Sequence, residues 1–338
     1  MLEAIGARTP LAVEIFTTTP EWFFADSLRV PFGYHAVRTD VGLVQRDALD
    51  EDPAATARAL DALLPFDDAL LARLASEVRA RACDAVLCDV AALGIAVAGR
   101  AALPSILLEN FTWDWIYRVY LERTPALRPH AEELARWFAR ADVHVQTLPV
   151  CAPAADAIQV APVARLPRRR RDDVRRALGL ASGQRAVLLT MGGIRWDWSS
   201  LAPRLPSDVM LVVPGGAEEE RRLDWALLLP FHSRFFHPDL VHACDAVVGK
   251  LGYSTLAETW GSGVPYGFVP RDGFAESPVL ARAVLAATAG VAVAAERLRD
   301  GDWSWLEAVL AVPRADEGRA RGNDAAAAAI LAALGRRA

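Results

Sequence analysis

The chain is poor in several things. Only four cysteines occur in 338 residues, and no two make a CxxC pair. Cys83, Cys88, Cys151 and Cys244 are scattered, with Cys88 and Cys244 inside apolar runs. That pattern reads as reduced core thiols of a cytoplasmic protein. Polar residues interrupt every apolar run well before the roughly eighteen residues that a membrane span needs. The net charge is -5, so no overall basic signal points to nucleic acid. Histidines are few, and His232, His237 and His242 step by five, a spacing that suits shared metal ligation on neither a helix nor a strand. No metal site is therefore expected. The opening "MLEAIGARTPLAVEIF" has too short an apolar part for a signal peptide and reads as the last turn of a helix, a loop and a strand.

Apolar residues, by contrast, make up 53% of the chain, enough for two packed cores. "LAVEIFTTT", "DAVLCD" and "PSILLE" read as strands. Between them, "PAATARALDALLPFDDALLARLASEVRAR" and "VAALGIAVAGRAAL" carry apolar residues at helical spacing. This rhythm implies a parallel sheet covered by helices on both faces. A Pro- and Ala-rich stretch, "CAPAADAIQVAPVARLP", interrupts it and places a boundary near residue 160. The rhythm then resumes through "RAVLLTMGG", "DVMLVVPGG", "DAVVGK", "VPYGFVP" and "GVAVAA". The expected domains are 1–160 and 161–338. The chain closes on a helix, "GNDAAAAAILAALG", with Gly322 and Asn323 before it and Asp324 favoured at its start.

The stretch "AVVGKLGYSTLAET" carries the most chemistry. A buried strand ends at Lys250, glycines at 249 and 252 permit a sharp turn and a close approach, and a helix begins at Tyr253. A helix start presents unpaired N–H groups and partial positive charge, worth about 0.3–1 kcal/mol to an anion. Ser254 and Thr255 add hydroxyls and Lys250 a full charge, which together suit a diphosphate. Glu258, one turn deeper, could take ribose hydroxyls. The alternative is plain: Ser254 a helix cap, Glu258 a first-turn acid, Lys250 a surface charge. The pattern is neither GxGxxG nor the P-loop.

The longer segment "HPDLVHACDAVVGKLGYSTLAETWGSGVPYGFVPRDGFAESPVLA" resembles the nucleotide-sugar half of GT-B glycosyltransferases. It is most similar to the glycosyltransferase-like N-terminal region of L-arabinokinases and its stand-alone bacterial relatives. It is more distantly similar to the N-acetylglucosaminyl transferase that completes lipid II. "LCDVAALGIAVAGRAALPSILLENFTWDWIY", "LTMGGIRWDW" and "GNDAAAA" extend the first likeness over most of the chain. The resemblance implies an α/β protein of two Rossmann-like domains facing across a cleft. It implies a donor diphosphate near Gly249, Gly252, Ser254 and Thr255, ribose on Glu258, and the base near Phe236. Gly192 and Gly193 would form a second phosphate-facing turn. Arg271, Asp272 and Glu276 could meet the donor sugar, or belong to a solvated loop.

On the acceptor side, Asn110, Trp113, Asp114 and Tyr117 follow a strand end, where open α/β sheets bind ligands. Trp113 and Tyr117, four apart, could equally be one packed helix face. Asp89 ends another strand, as ligand or as helix cap. Relatives of this kind open with a strand and a Gly/His-rich loop that this chain lacks, so the first domain should miss a strand and expose backbone. Asp114 and His35 are the weak candidates for the general base.

The seven arginines between Arg165 and Arg176 lack interleaved aromatics, and Asp172 and Asp173 break the run, so they read as a solvated interdomain helix. Trp196 and Trp198 could cover the cleft or pack between domains. The reading is a metal-independent glycosyltransferase that uses a nucleotide-diphosphate sugar, without further cofactor, on an unknown hydroxyl acceptor. Two alternatives are a non-catalytic nucleotide-sugar-binding protein and a nucleotide-sugar epimerase. Arabinokinase activity is not expected, because the likeness stops before any sugar-kinase domain.

Overall fold

The computed structural model describes residues 1–193, 205–315 and 320–335; Trp196 and Trp198 lie outside them. The chain folds into two compact units, and neither is a continuous stretch. The first comprises Met1–Val44, Glu51–Val163 and Gly322–Ala338, the second Gln45–Asp50 and Ala164–Arg321. The change-over at residue 163 lies close to the expected boundary. The C-terminal helix and the 45–50 segment, however, fall in the opposite units from those the sequence suggested.

The first unit opens with α1 (Leu2–Gly6), β1 (Val13–Thr17), α2 (Glu21–Ser27) and β2 (Phe32–Ala36). Helices α3 (Pro53–Asp61) and α4 (Asp68–Ala80) follow. The sequence suggested one helical run here. Pro65 cannot donate to a helical ladder and divides it. Asp52 and Asp67 then cap the two helices, accepting from the N–H of Ala55 at 2.9 Å and of Leu70 at 2.7 Å. Next come β3 (Val86–Asp89), α5 (Ala92–Ala101), β4 (Ser105–Glu109), α6 (Trp113–Arg118), α7 (Arg128–Phe138), β5 (Val143–Thr147) and β6 (Ile158–Val160). β1 and β2 form a parallel pair, and β3-β4-β5-β6 a separate parallel sheet. β1 and β3 each keep one edge without a strand partner among the described residues.

The second unit contains α8 (Arg171–Ala177), β7 (Arg185–Thr190), β8 (Val209–Pro214), β9 (Arg221–Arg222), β10 (Ala226–Leu229) and α9 (His237–Ala243). It continues through β11 (Ala246–Lys250), α10 (Tyr253–Ser262), β12 (Tyr266–Val269), α11 (Ser277–Ala286), β13 (Gly290–Ala292), α12 (Ala295–Arg299) and α13 (Leu306–Leu310). Its strands form one sheet in the order β13-β12-β11-β7-β8-β10-β9, parallel except for β9. Residues on the two faces alternate between two cores. Val187, Leu189, Val248 and Leu211 enter one, together with Ala48 and Leu49 of the 45–50 segment. Leu188, Val212 and Val247 enter the other.

The last helix, α14 (Asn323–Ala333), belongs to the first unit. Its Ala326, Ala327, Ile330 and Leu331 pack with Ile5 against Ile106, Leu108 and Val145. The alanine-rich run is thus a close-packing face laid on a sheet.

Candidate functional site

β11 lies between β7 and β12, with Gly249 opposite Thr190. A Cβ at Gly249 would stand 1.9 Å from the Thr190 carbonyl oxygen, so the need for glycine there is close strand packing rather than a turn. Gly252 is extended, with φ -147°, and a Cβ there would meet nothing within 4 Å. Among the described residues nothing fills the space before α10, and no side chain caps that helix. Its first N–H groups face this space with the partial positive charge of a helix start.

Gly192 and Gly193 follow β7 in left-handed conformations, φ 61° and 82°. A Cβ at Gly192 would lie 3.0 Å from Cε of Lys250, so the lysine stem runs along this turn. Lys250 is part-buried, and among the described residues no carboxylate lies within ion-pair distance of it. Burial, seconded by the charge of Arg271 and opposed by Glu276, pushes its amine down to about 8. A signal for this position was present in the composition. The chain holds 37 Lys and Arg residues, and Lys250 is its only lysine.

Of the hydroxyls, Ser254 is exposed at the helix start. Thr255 is buried, and its hydroxyl is spent on Tyr266, whose own hydroxyl donates to the Lys250 carbonyl at 2.5 Å. Thr255 thus braces the turn instead of meeting solvent.

Glu258 is 4% exposed, and both oxygens are engaged. Arg165 donates to Oε1 at 2.9 Å, and His237 Nδ1 lies 2.9 Å from Oε2. Burial alone would push this carboxyl up, but His237 and Arg165 hold it below the usual carboxylate range. Arg168 stacks over the Phe236 ring at 4.3 Å, and the backbone N–H groups of Arg168 and Arg169 donate to buried Asp239. Asp245 takes Arg171 and Arg175. The arginine run is therefore only partly solvated: Arg165, Arg171 and Arg175 pair with Glu258 and Asp245, whereas Arg168, Arg169, Arg170 and Arg176 are exposed.

Arg271 and Glu276, expected to meet a sugar or solvent, form a buried ion pair at 2.9 Å. Arg271 also donates to the Leu251 carbonyl at 3.1 Å and stacks on Phe274. This pair ties the turn after β11 to the start of α11. Asp272 beside it is exposed.

In the first unit, Tyr117 is 1% exposed and donates to the Gly42 carbonyl at 2.6 Å. Trp113 stacks on it, 5.8 Å between centroids, and donates to Asp40 at 3.2 Å. The packed-face reading holds for Tyr117, whose ring is covered by protein. Asp114 lies 3.5 Å from Arg118, and Asn110 is buried with Nδ2 lacking a partner. His35 is held by Glu14 at 2.6 Å and stacks on Phe16.

Asp89 stands exposed at the carboxyl end of β3. Protein packed about its carboxyl, and then the nearby charge of Asp40, raise it to about 6. Asp40 is itself pushed up by burial, against the pull of its Trp113 hydrogen bond. Val90, immediately after Asp89, sits at φ 58°. That is a strained conformation for a β-branched residue, and such strain gathers at functional turns. Nothing in sequence spacing reveals it.

No protein-family model matches the chain. It is 28% identical over 327 residues to an L-arabinokinase of Arabidopsis thaliana, covering 93% of this chain and 31% of that protein. The chain thus spans about a third of the curated relative. Among solved structures it is similar to the glycosyltransferase SnogD from Streptomyces nogalater, with TM-score 0.52, 18% identity, and 96% and 99% of the two chains covered. It is also similar to CalG4, the calicheamicin glycosyltransferase, with TM-score 0.59, 15% identity, and 99% and 94% covered. Spinosyn rhamnosyltransferase SpnG, solved with thymidine diphosphate, gives TM-score 0.50 at 17% identity, with 96% of each chain covered. The chain has the GT-B glycosyltransferase fold.

Proposed function

We propose that the protein transfers a sugar from a nucleoside-diphosphate donor to a hydroxyl acceptor. One observation carries the reading: the only lysine lies against the Gly192 turn, beside a helix start that, among the described residues, has no side-chain cap, and no described carboxylate pairs with it. A diphosphate supplies the charge that this arrangement lacks. SpnG, of the same fold, is described with thymidine diphosphate.

The acceptor oxygen attacks the anomeric carbon while the bond from that carbon to the diphosphate breaks. Negative charge then grows on the leaving diphosphate, where Lys250 and the first N–H groups of α10 stabilise it, with no metal required. Ser254 adds a hydroxyl at the same mouth. Glu258 reaches a ribose only through the lone pairs that Arg165 and His237 leave, so its main part is to hold the Phe236 segment in place for the base. Within the first unit, Asp89, its carboxyl raised to about 6, is better suited to take up an acceptor proton than Asp114 or His35, which have close partners.

A single lysine makes the test simple. Acetylation by an amine-reactive ester labels Lys250 and the α-amino group of Met1, resolved by peptide mass spectrometry. UDP, TDP, GDP or ADP should protect Lys250 severalfold and leave Met1 unchanged. If no diphosphate protects Lys250, the donor site is elsewhere. Release of nucleoside diphosphate from the protecting sugar nucleotide then separates transfer from mere binding.

A further inference from the structure

Alternate residues of β4 and β5 point to opposite faces of their sheet. Ile106, Leu108 and Val145 join the apolar core under α14. The other face carries Leu107 and Glu109 opposite His144 and Gln146. Parallel sheets are ordinarily apolar on both faces. Here that second face lines a cavity of about 400 Å³, bounded also by Phe138, Asp114 and Asp156.

The polar groups in it are held in place. Gln146 is fixed by the Ala152 carbonyl at 2.9 Å and the Ala154 N–H at 3.0 Å. Its Nε2 donates to Glu109 Oε1 at 2.8 Å, and His144 Nε2 donates to the same oxygen at 2.6 Å. The Glu109 side chain is 2% exposed, and its Oε2 is buried with no hydrogen-bond partner among the described residues. Leaving such an oxygen unpaired is costly, and more so when it is charged. Asp114, itself 3.5 Å from Arg118, and Asp156 add two carboxylates, so the lining holds three acids and one imidazole. The volume lies in the range of small-molecule sites, about 300–1,000 Å³.

We infer that this cavity binds a small hydroxylated amine of monosaccharide size, its ammonium group satisfying Glu109 and its carbon skeleton lying against Phe138. Its charge preference is opposite to that of the Lys250 mouth, so the two sites select different molecules.

Calorimetry on the full chain with glucosamine, glucose and glucuronate tests this. Glucosamine should bind about tenfold or more tightly than glucose, and glucuronate should not bind. Glu109→Gln keeps the side-chain shape and removes the charge. It should lower glucosamine affinity about thirtyfold while leaving thermal unfolding cooperative. Should that variant fail to fold, Asp156→Asn at an exposed position should still weaken glucosamine two- to threefold, roughly the effect of a rim charge. Equal binding of the three sugars, no binding of glucosamine at millimolar concentration, or unchanged affinity in the foldable variant would overturn the proposal.

Discussion

Two strand ends, one in each unit, are built from the same idea with opposite signs. β3 ends on Asp89 and β11 ends on Lys250, each at the carboxyl edge of a parallel sheet. Burial of its surroundings raises the acid to about 6, and burial lowers the amine to about 8. Low polarity disfavours charge of either sign, so both groups move toward neutral pH. The neighbours then differ. A second acid, Asp40, helps to lift Asp89, whereas a second cation, Arg271, helps to depress Lys250. One strand end thus carries an acid drawn up toward neutral pH, the other an amine drawn down toward it.

Both arrangements work against stability at pH 7. A lysine whose pKa falls from 10.5 to about 8 makes the unfolded chain bind more protons between those values. Stability therefore rises as pH climbs from about 8 to 10.5, and the cost of the buried cation is fully present below about 8. For Asp89, the folded chain binds the extra proton between 3.8 and about 6. Its ionised form therefore weighs on the fold as pH rises through about 6.

Four substitutions break or sharpen this contrast. The largest effect is expected from Asp89→Asn, which should lower kcat by about 10²–10⁴-fold and leave diphosphate binding intact, read by steady-state kinetics and calorimetry. Lys250→Met should weaken nucleoside-diphosphate binding by about thirty- to a hundredfold, as losing a desolvated charge partner does. The same variant should gain about 2 kcal/mol of stability at pH 7 in urea unfolding, because a buried cation has gone. In the unsubstituted protein, diphosphate affinity should fall as pH rises above about 8, where the amine loses its proton. Asp40→Asn removes the second acid, so the acid limb of the kcat/KM profile should move below about 6 by less than one pH step. The smallest change is expected for Val90→Gly, which frees the left-handed turn after Asp89. Its stability should rise by less than about 1 kcal/mol in urea, since glycine also loosens the unfolded chain.

How much of this the sequence showed depends on what kind of contact carries each residue. The turn after β11 was legible because a buried strand, two glycines and a helix start are local patterns. The jobs of the glycines were not, since only the pairing of Gly249 with Thr190 reveals a 1.9 Å approach. Glu258 and the arginine run were visible as charges, but that they meet across 93 residues, through Arg165, is tertiary information. The Arg271–Glu276 pair lies five residues apart, yet its burial depends on Phe274 and on the carbonyl of Leu251. The "VHVQT" run did hold a readable anomaly, two polar residues alternating with valines in a parallel-sheet strand. The helix "GNDAAAAAILAALG" was read correctly as a helix, but alanine smoothness does not say which sheet it covers.

That last placement has a bearing on how the molecule is made. Synthesis runs from the N-terminal toward the C-terminal end, so the sheet bearing β4 and β5 gains the cover of α14 only after residues 323–333 have emerged. The second unit, whose chain is finished by Arg321, can reach its native form first, although it borrows Ala48 and Leu49 from an earlier passage. A cut at residue 160 would therefore yield two fragments that each miss a piece of their own interior.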